Sequence, residues 1–210
     1  MFKFVFIFVI YILVSITNAK CICVFDIDRT LTGLQNDTKD CPNNLLESSI
    51  QDCAYDGGEL SLSVVAQNIN KTFCSNCFLG VVSAGVACGD NSTERLELVN
   101  RLNISGGLQS SSWSSPGNVS TPLVTSYPDG QKQIAVQKIF NWYNEKGFIV
   151  NKSDVYMFDD RVSNIKPFQK TDFSARQISC KSRDKSHNNE IGLCGATLDE
   201  IQPTKGVHLC

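Results

Sequence analysis

FDIDRTLTG, residues 25–33, lies at the end of the apolar run Ile22 to Ile27, which Cys23 alone interrupts. A short apolar run that ends in polar groups reads as a buried strand, and its carboxyl end here carries Asp26 and Asp28. A second run, Val155 to Phe158, ends in the same way, in Asp159-Asp160. Between the two, strand-like and helix-like stretches alternate. Leu62, Val65, Ala66 and Ile69 repeat at the spacing of one helix face, and Phe78 to Val82 reads as the next strand. Gly89-Asp90 marks a helix start, followed by Leu96, Leu98, Val99 and Leu102. A third strand is expected around Leu123 to Ser126. Pro128-Asp129-Gly130 then turns the chain into a helix carrying Val136, Ile139, Phe140 and Tyr143 and closed by Gly147. Ala175 to Ser179 is a last strand-like run. This order predicts an α/β fold, a parallel sheet with helices on both faces. Reactive groups in such sheets collect at the carboxyl edge. Four carboxylates gathered there would raise one another's pKa unless a cation sat among them. Hard oxygen donors, with no His or Cys in the set, favour Mg2+ over zinc.

Composition narrows the field further. With 210 residues, 42% of them hydrophobic, the chain is too apolar to be disordered and is expected to form one domain, residues 20–210. Nineteen Lys and Arg against 21 Asp and Glu supply no basic field for a phosphate backbone, so no nucleic-acid partner is expected. Residues 1–19, with Lys3, an apolar run from Phe4 to Val14 and small residues Thr17 and Ala19, read as a signal peptide cleaved after Ala19. The run is short of the ~20 residues a membrane span needs, and no membrane association is expected after cleavage. All ten cysteines follow Ala19, an even number that predicts disulfides and a place outside the cell or in the secretory lumen, whether extracellular, vacuolar or lysosomal. Six Asn-x-Ser/Thr sequons, at Asn36, Asn70, Asn91, Asn103, Asn118 and Asn151, fit a glycoprotein of that route. Cys74-Ser-Asn-Cys77 precedes a strand-like run rather than opening a helix after one. Structural disulfides are therefore expected there in place of a redox pair.

FDIDRTLTG resembles the Asp-x-Asp-x-Thr signature of the haloacid-dehalogenase (HAD) superfamily, whose commonest members are Mg2+-dependent phosphatases. Leu79-Gly80-Val81-Val82-Ser83 is similar to that family's second motif and Met157-Phe158-Asp159-Asp160-Arg161 to its fourth, in the family's order. The resemblance implies a HAD-type, Rossmann-like sheet over about residues 21 to 180. It implies Asp26 as a nucleophile that becomes an aspartyl-phosphate, and Asp28 as the acid and base that serves the leaving oxygen and then the water. Mg2+ would be held by Asp26, the backbone carbonyl of Asp28 and Asp160, with Asp159 assisting. Ser83 and the backbone N–H near Ile27 would bind phosphoryl oxygens, and Thr30 completes the signature. The family's third motif is a lysine. Lys132, at a helix start facing the carboxyl edge, is favoured over Lys138, which lies mid-helix. Asn164 would orient a metal-bound water, and Arg161 would touch substrate or pair with surface acids.

Family members choose substrates through cap insertions. Residues 34–58 are long enough only for a flap or small cap, with Cys41 and Cys53 as candidates for a staple across it, and the Ser/Gly-rich stretch 103–121 with Trp113 reads as a loop. A minimal cap leaves the site open to a phosphorylated macromolecule such as a protein or glycan. Residues 180–210 form a cysteine-bearing tail in which His187 and His208 read as surface residues, whereas Trp142 reads as core. Two competing functions remain in view: a catalytically silent, disulfide-stapled binding or storage glycoprotein on the same fold, and a thiol oxidoreductase using Cys74 and Cys77.

Overall fold

A computed structural model describes residues 21–210, so the signal-peptide reading of residues 1–19 lies outside the described residues. β1 (Ile22–Phe25), β4 (Phe78–Val82) and β7 (Val155–Asp159) are buried along their whole length, as strands covered on both faces must be. They form the centre of a seven-stranded sheet, wholly parallel, ordered β5-β6-β4-β1-β7-β8-β9. Here β5 is Trp113–Ser114, β6 Leu123–Val124, β8 Ser174–Gln177 and β9 Val207–His208.

Strand alternation divides the core into two layers. Cys23 and Phe25 face one side with Leu79, Val81 and Phe158, under α1 (Val64–Gln67) and α2 (Thr93–Asn103). Ile22 and Val24 face the other, with Val82 and Met157, under Val136, Ile139 and Tyr143 of α3 (Lys132–Glu145). A short α4 (Val162–Ile165) follows β7. Among the described residues, no helix is long and apolar enough to cross a membrane.

Residues 34–62 hold an antiparallel hairpin, β2 (Leu45–Asp52) and β3 (Gly58–Leu62), with a register shift between Glu47 and Gln51. The helix expected from Leu62 to Ile69 is thereby cut to Val64–Gln67. Leu62 ends β3 and Ile69 begins a separate tight turn, although all four apolar residues reach the same core. α2 starts at Thr93, with Ser92 Oγ accepting from Arg95 N–H, three residues after the expected Gly89-Asp90 start. Leu96 is exposed and lies off its buried face. The stretch 103–121 is not all loop, because Trp113–Ser114 pairs with β6 and Trp113 lies half-buried under the Arg95 guanidinium, 5.3 Å from the ring centre. Trp142 flanks the core, edge-on to Tyr143.

All ten cysteines are paired: Cys21–Cys77, Cys23–Cys74, Cys41–Cys194, Cys53–Cys88 and Cys180–Cys210. Cys74 therefore bonds to Cys23 of β1 and Cys77 to Cys21 just before it, not to each other, which removes the thiol oxidoreductase reading. The staple considered between Cys41 and Cys53 is also replaced. Cys41 reaches the tail and Cys53 reaches the loop after β4, so the hairpin is tied outward to the body of the sheet. The tail both extends the sheet through β9 and folds back beneath the loop after β1, where Ala196 N–H donates to the Thr30 carbonyl. Five disulfides fit an oxidising compartment. The six sequon asparagines are all exposed.

Candidate active site

β1 connects onward to β4 on one side and pairs with β7 on the other, which makes its carboxyl end a topological switch point. Asp26 is the first residue beyond β1, its N–H held by the Phe158 carbonyl at 2.9 Å. The chain then makes a kinked turn over Ile27–Leu31, in which Arg29 takes a left-handed conformation (φ 63°). That turn lets Asp28 leave the strand line toward the cleft while Ile27 enters the core. The Ile27 carbonyl accepts from Thr32 N–H at 3.0 Å and from its hydroxyl at 3.3 Å, which closes the turn. Buried Arg29 braces it, donating from Nη1 to the Leu193 carbonyl and stacking over Tyr55, 4.9 Å from the ring centre.

Lys132 occupies the first turn of α3 and is 1% exposed, with Nζ 2.8 Å from Asp26 Oδ1 and 2.7 Å from Asp159 Oδ2. Lys138 lies elsewhere, donating to the Pro116 carbonyl. Asp159 is further held by Asn164 Nδ2, at 3.1 and 3.0 Å, and by Arg161 N–H at 2.8 Å. Asn164 in turn accepts from Gly130 N–H at 2.7 Å and donates to Asp129, which fastens α4 to the turn before α3. Arg161 pairs with Asp129 at 3.6 Å on the rim. Ser83, just past β4, accepts from Gly85 N–H, and its hydroxyl works against the rise in the Asp28 pKa. Thr30 is fully buried, and its hydroxyl has no hydrogen-bond partner.

Asp160 is fully buried. Gly192 N–H donates to Oδ2 at 2.6 Å, and Oδ1 has no partner. Gly192 is required there because a Cβ would sit 2.7 Å from Ser179 Cβ and 3.0 Å from the Arg29 carbonyl oxygen. This tail contact and the cleft residue Tyr55 carry no pattern that sequence reading picked out, and Asp129 was read only as part of a turn. His187 pairs with Asp184 and packs edge-on against Tyr55, and His208 Nε2 donates to the Lys205 carbonyl.

Burial raises Asp26 well above the usual carboxylate range against the pull of Lys132, and Asp159, Asp28 and Asp160 add to the rise. Asp28 is pushed up to about 6, by burial first and then by Asp52. Asp160 is pushed up to about 7, by burial and then by Asp159. Burial opposes the charged form of Lys132, yet Asp159 and Asp26 outweigh it and hold the ammonium protonated. Carboxylate oxygens of Asp26, Asp159 and Asp160 lie within 4.8 Å of one another. Both Asp159 oxygens are taken up by Lys132, Asn164 and Arg161, so Asp26 and the orphaned Asp160 Oδ1 are the carboxylate donors left for a hard divalent cation. The acids open onto a cleft of about 320 Å3 walled by Tyr55, Val86, Ala87, Asp129 and Arg161.

The chain is thus a parallel α/β domain with a buried lysine–carboxylate cluster at the switch point of its sheet. No family model matches it, nor does any curated protein. Among solved structures it is similar to a hypothetical protein from Xanthomonas campestris, at 14% identity over 90% of this chain and 83% of that one, with a TM-score of 0.41. It is also similar to a protein described as a HAD superfamily (subfamily III A) hydrolase from Legionella pneumophila, at 11% identity over 83% and 72% of the two chains, with a TM-score of 0.40.

Proposed function

We propose that the chain is a secreted Mg2+-dependent phosphatase that hydrolyses a phosphate ester through an aspartyl-phosphate. The observation that carries this reading is the buried Lys132 ammonium, fixed between Asp159 and Asp26, the latter lining an open cleft together with Asp28. Lys132 offsets the charge of Asp26 and of an incoming phosphoryl group, so a dianion can approach a carboxylate. An Asp26 oxygen bonds phosphorus as the ester P–O bond breaks, and Asp28 gives its proton to the leaving oxygen. Asp28, now a carboxylate, takes a proton from water as that water attacks the phosphoryl group, releasing phosphate and restoring Asp26. A carboxyl titrating near 6 is suited to both halves of this exchange. Ser83 steadies Asp28 and stands where a phosphoryl oxygen would be received.

Asp26, the Asp28 carbonyl and Asp160 would hold Mg2+, which supplies further charge neutralisation for the phosphoryl oxygens. Both Asp159 oxygens are already hydrogen-bonded, so its part is to position Lys132. The hairpin walls only one side of the cleft, through Ala54 and Tyr55, which supports a bulky phosphorylated substrate. Exposed sequons and five disulfides support a glycosylated protein of the secretory route.

Phosphate release from an aryl phosphate tests the reading. The oxidised chain is expected to need Mg2+, to stop in chelator, and to lose on the order of 10^3-fold or more in Asp26→Asn. Equal release by variant and parent would remove Asp26 as nucleophile.

A further inference from the structure

A second group of acids meets beside the first, and the proposed reaction uses only one of its members. Asp28 comes from the turn after β1, Asp52 from the last position of β2, and Glu94 from the first turn of α2. One carboxylate oxygen from each lies within 4.8 Å of the others. Asp52 and Glu94 are both 0% exposed. Asp52 Oδ1 accepts from Ala54 N–H, but its Oδ2 has no partner, and neither oxygen of Glu94 has one.

The nearby guanidinium groups are committed elsewhere. Arg29 bonds the Leu193 carbonyl and faces Asp184 at 3.6 Å. Arg95 bonds Asp90, the Val86 carbonyl and Thr125. Buried carboxylates without donors are costly, and they persist in folded proteins chiefly when a proton or a cation balances them.

We infer that Asp28, Asp52 and Glu94 form a second site for a hard divalent cation, of the Ca2+ class. All three donors are carboxylate oxygens, with no nitrogen or sulfur to select zinc. Both Glu94 oxygens are free, which permits the bidentate grip that Ca2+ accepts and that the strict octahedron of Mg2+ disfavours. The cation joins three segments distant in sequence and pins the hairpin, through Asp52, against α2 and the cleft. It also engages the Asp28 carboxylate. If the phosphatase reading holds, occupation takes Asp28 out of proton transfer, and Ca2+ inhibits through Glu94.

The test is the number of Ca2+ ions bound per chain, by calorimetric titration of the full oxidised protein after chelation. Two are expected in the parent, one in Glu94→Gln, one in Asp160→Asn and none in the double variant. Glutamine keeps the shape of a protonated Glu94, so a site balanced only by a proton would be untouched by it. One ion in both the parent and Glu94→Gln overturns the second site, as does no binding by the parent. Should Glu94→Gln lose its near-ultraviolet dichroism, Asp52→Asn replaces it. Loss of one ion there supports the site, and retention of two overturns it. Phosphate release measured in Mg2+ before any Ca2+ is added separates the two readings. Two Ca2+ ions bound by a chain that shows no turnover in Mg2+ leave the cation site standing and remove the phosphatase, whereas turnover in Mg2+ by a chain that binds one Ca2+ does the reverse.

Discussion

A lysine 1% exposed ordinarily sheds its charge, and Lys132 keeps it because two carboxylates reach its ammonium at 2.8 and 2.7 Å. The dependence is mutual, since Asp26 and Asp159 are themselves buried and have no other cation among the contacts described above. Lys132→Met preserves the length of the side chain and removes its charge. It leaves two acids facing each other without a counter-charge, and breaking a buried pair in this way costs about 3–5 kcal/mol. The variant is expected to melt lower in chelator and to release no phosphate. A melting temperature equal to the parent's would show that the acids are balanced by protons and not by Lys132.

The elements differ in how plainly the sequence shows them, and the differences have physical causes. β1, β4 and β7 are continuous apolar runs because both faces are covered, and Lys132 could be chosen over Lys138 because a helix start at a sheet's carboxyl edge is a fixed geometric place. The hairpin was not legible as strands. Leu45-Leu46-Glu47-Ser48-Ser49-Ile50-Gln51-Asp52 does not alternate, and the register shift after Glu47 breaks what period there is. The helix expected over Leu62 to Ile69 is longer than the one formed, Val64–Gln67, because a strand end, a single helical turn and a tight turn all send apolar residues to one core. Asp52 and Glu94 had no signal at all, since only the tertiary fold brings them to Asp28. Cys53–Cys88 holds that hairpin to the loop after β4, across a sequence separation of 35. In the chain-entropy account, closing such a loop is worth about 3–4 kcal/mol. Cys53→Ser with Cys88→Ser should lower the melting temperature and speed amide exchange in β2 and β3 while β1 and β4 stay protected. Exchange rising equally throughout would mean that the bridge secures the whole sheet and not the hairpin.

At the scale of the whole molecule, the packing of acids at one sheet edge ties folding to pH and to cations. Asp28, Asp160 and Glu94 titrate near 6, 7 and 8 in the folded chain, against ordinary values of 3.8, 3.8 and 4.5. Asp26 and Asp52 are raised as well, each chiefly by burial. The folded state therefore binds protons that the unfolded state has released. The stability these groups contribute is complete below about pH 4 and is lost as pH rises through their folded values, from about 6 to about 8. Cations reverse the slope, because they bind the deprotonated carboxylates of the folded chain and stabilise it by mass action. Melting temperatures taken in chelator should fall between about pH 5 and pH 8.5. In Mg2+ with Ca2+ the fall should shrink or invert, with the gap between the two curves widening as pH rises. Two curves that run parallel across that range would mean that neither acidic cluster takes a cation, and the burial of Asp28, Asp52, Asp160 and Glu94 would then have to be balanced by protons alone.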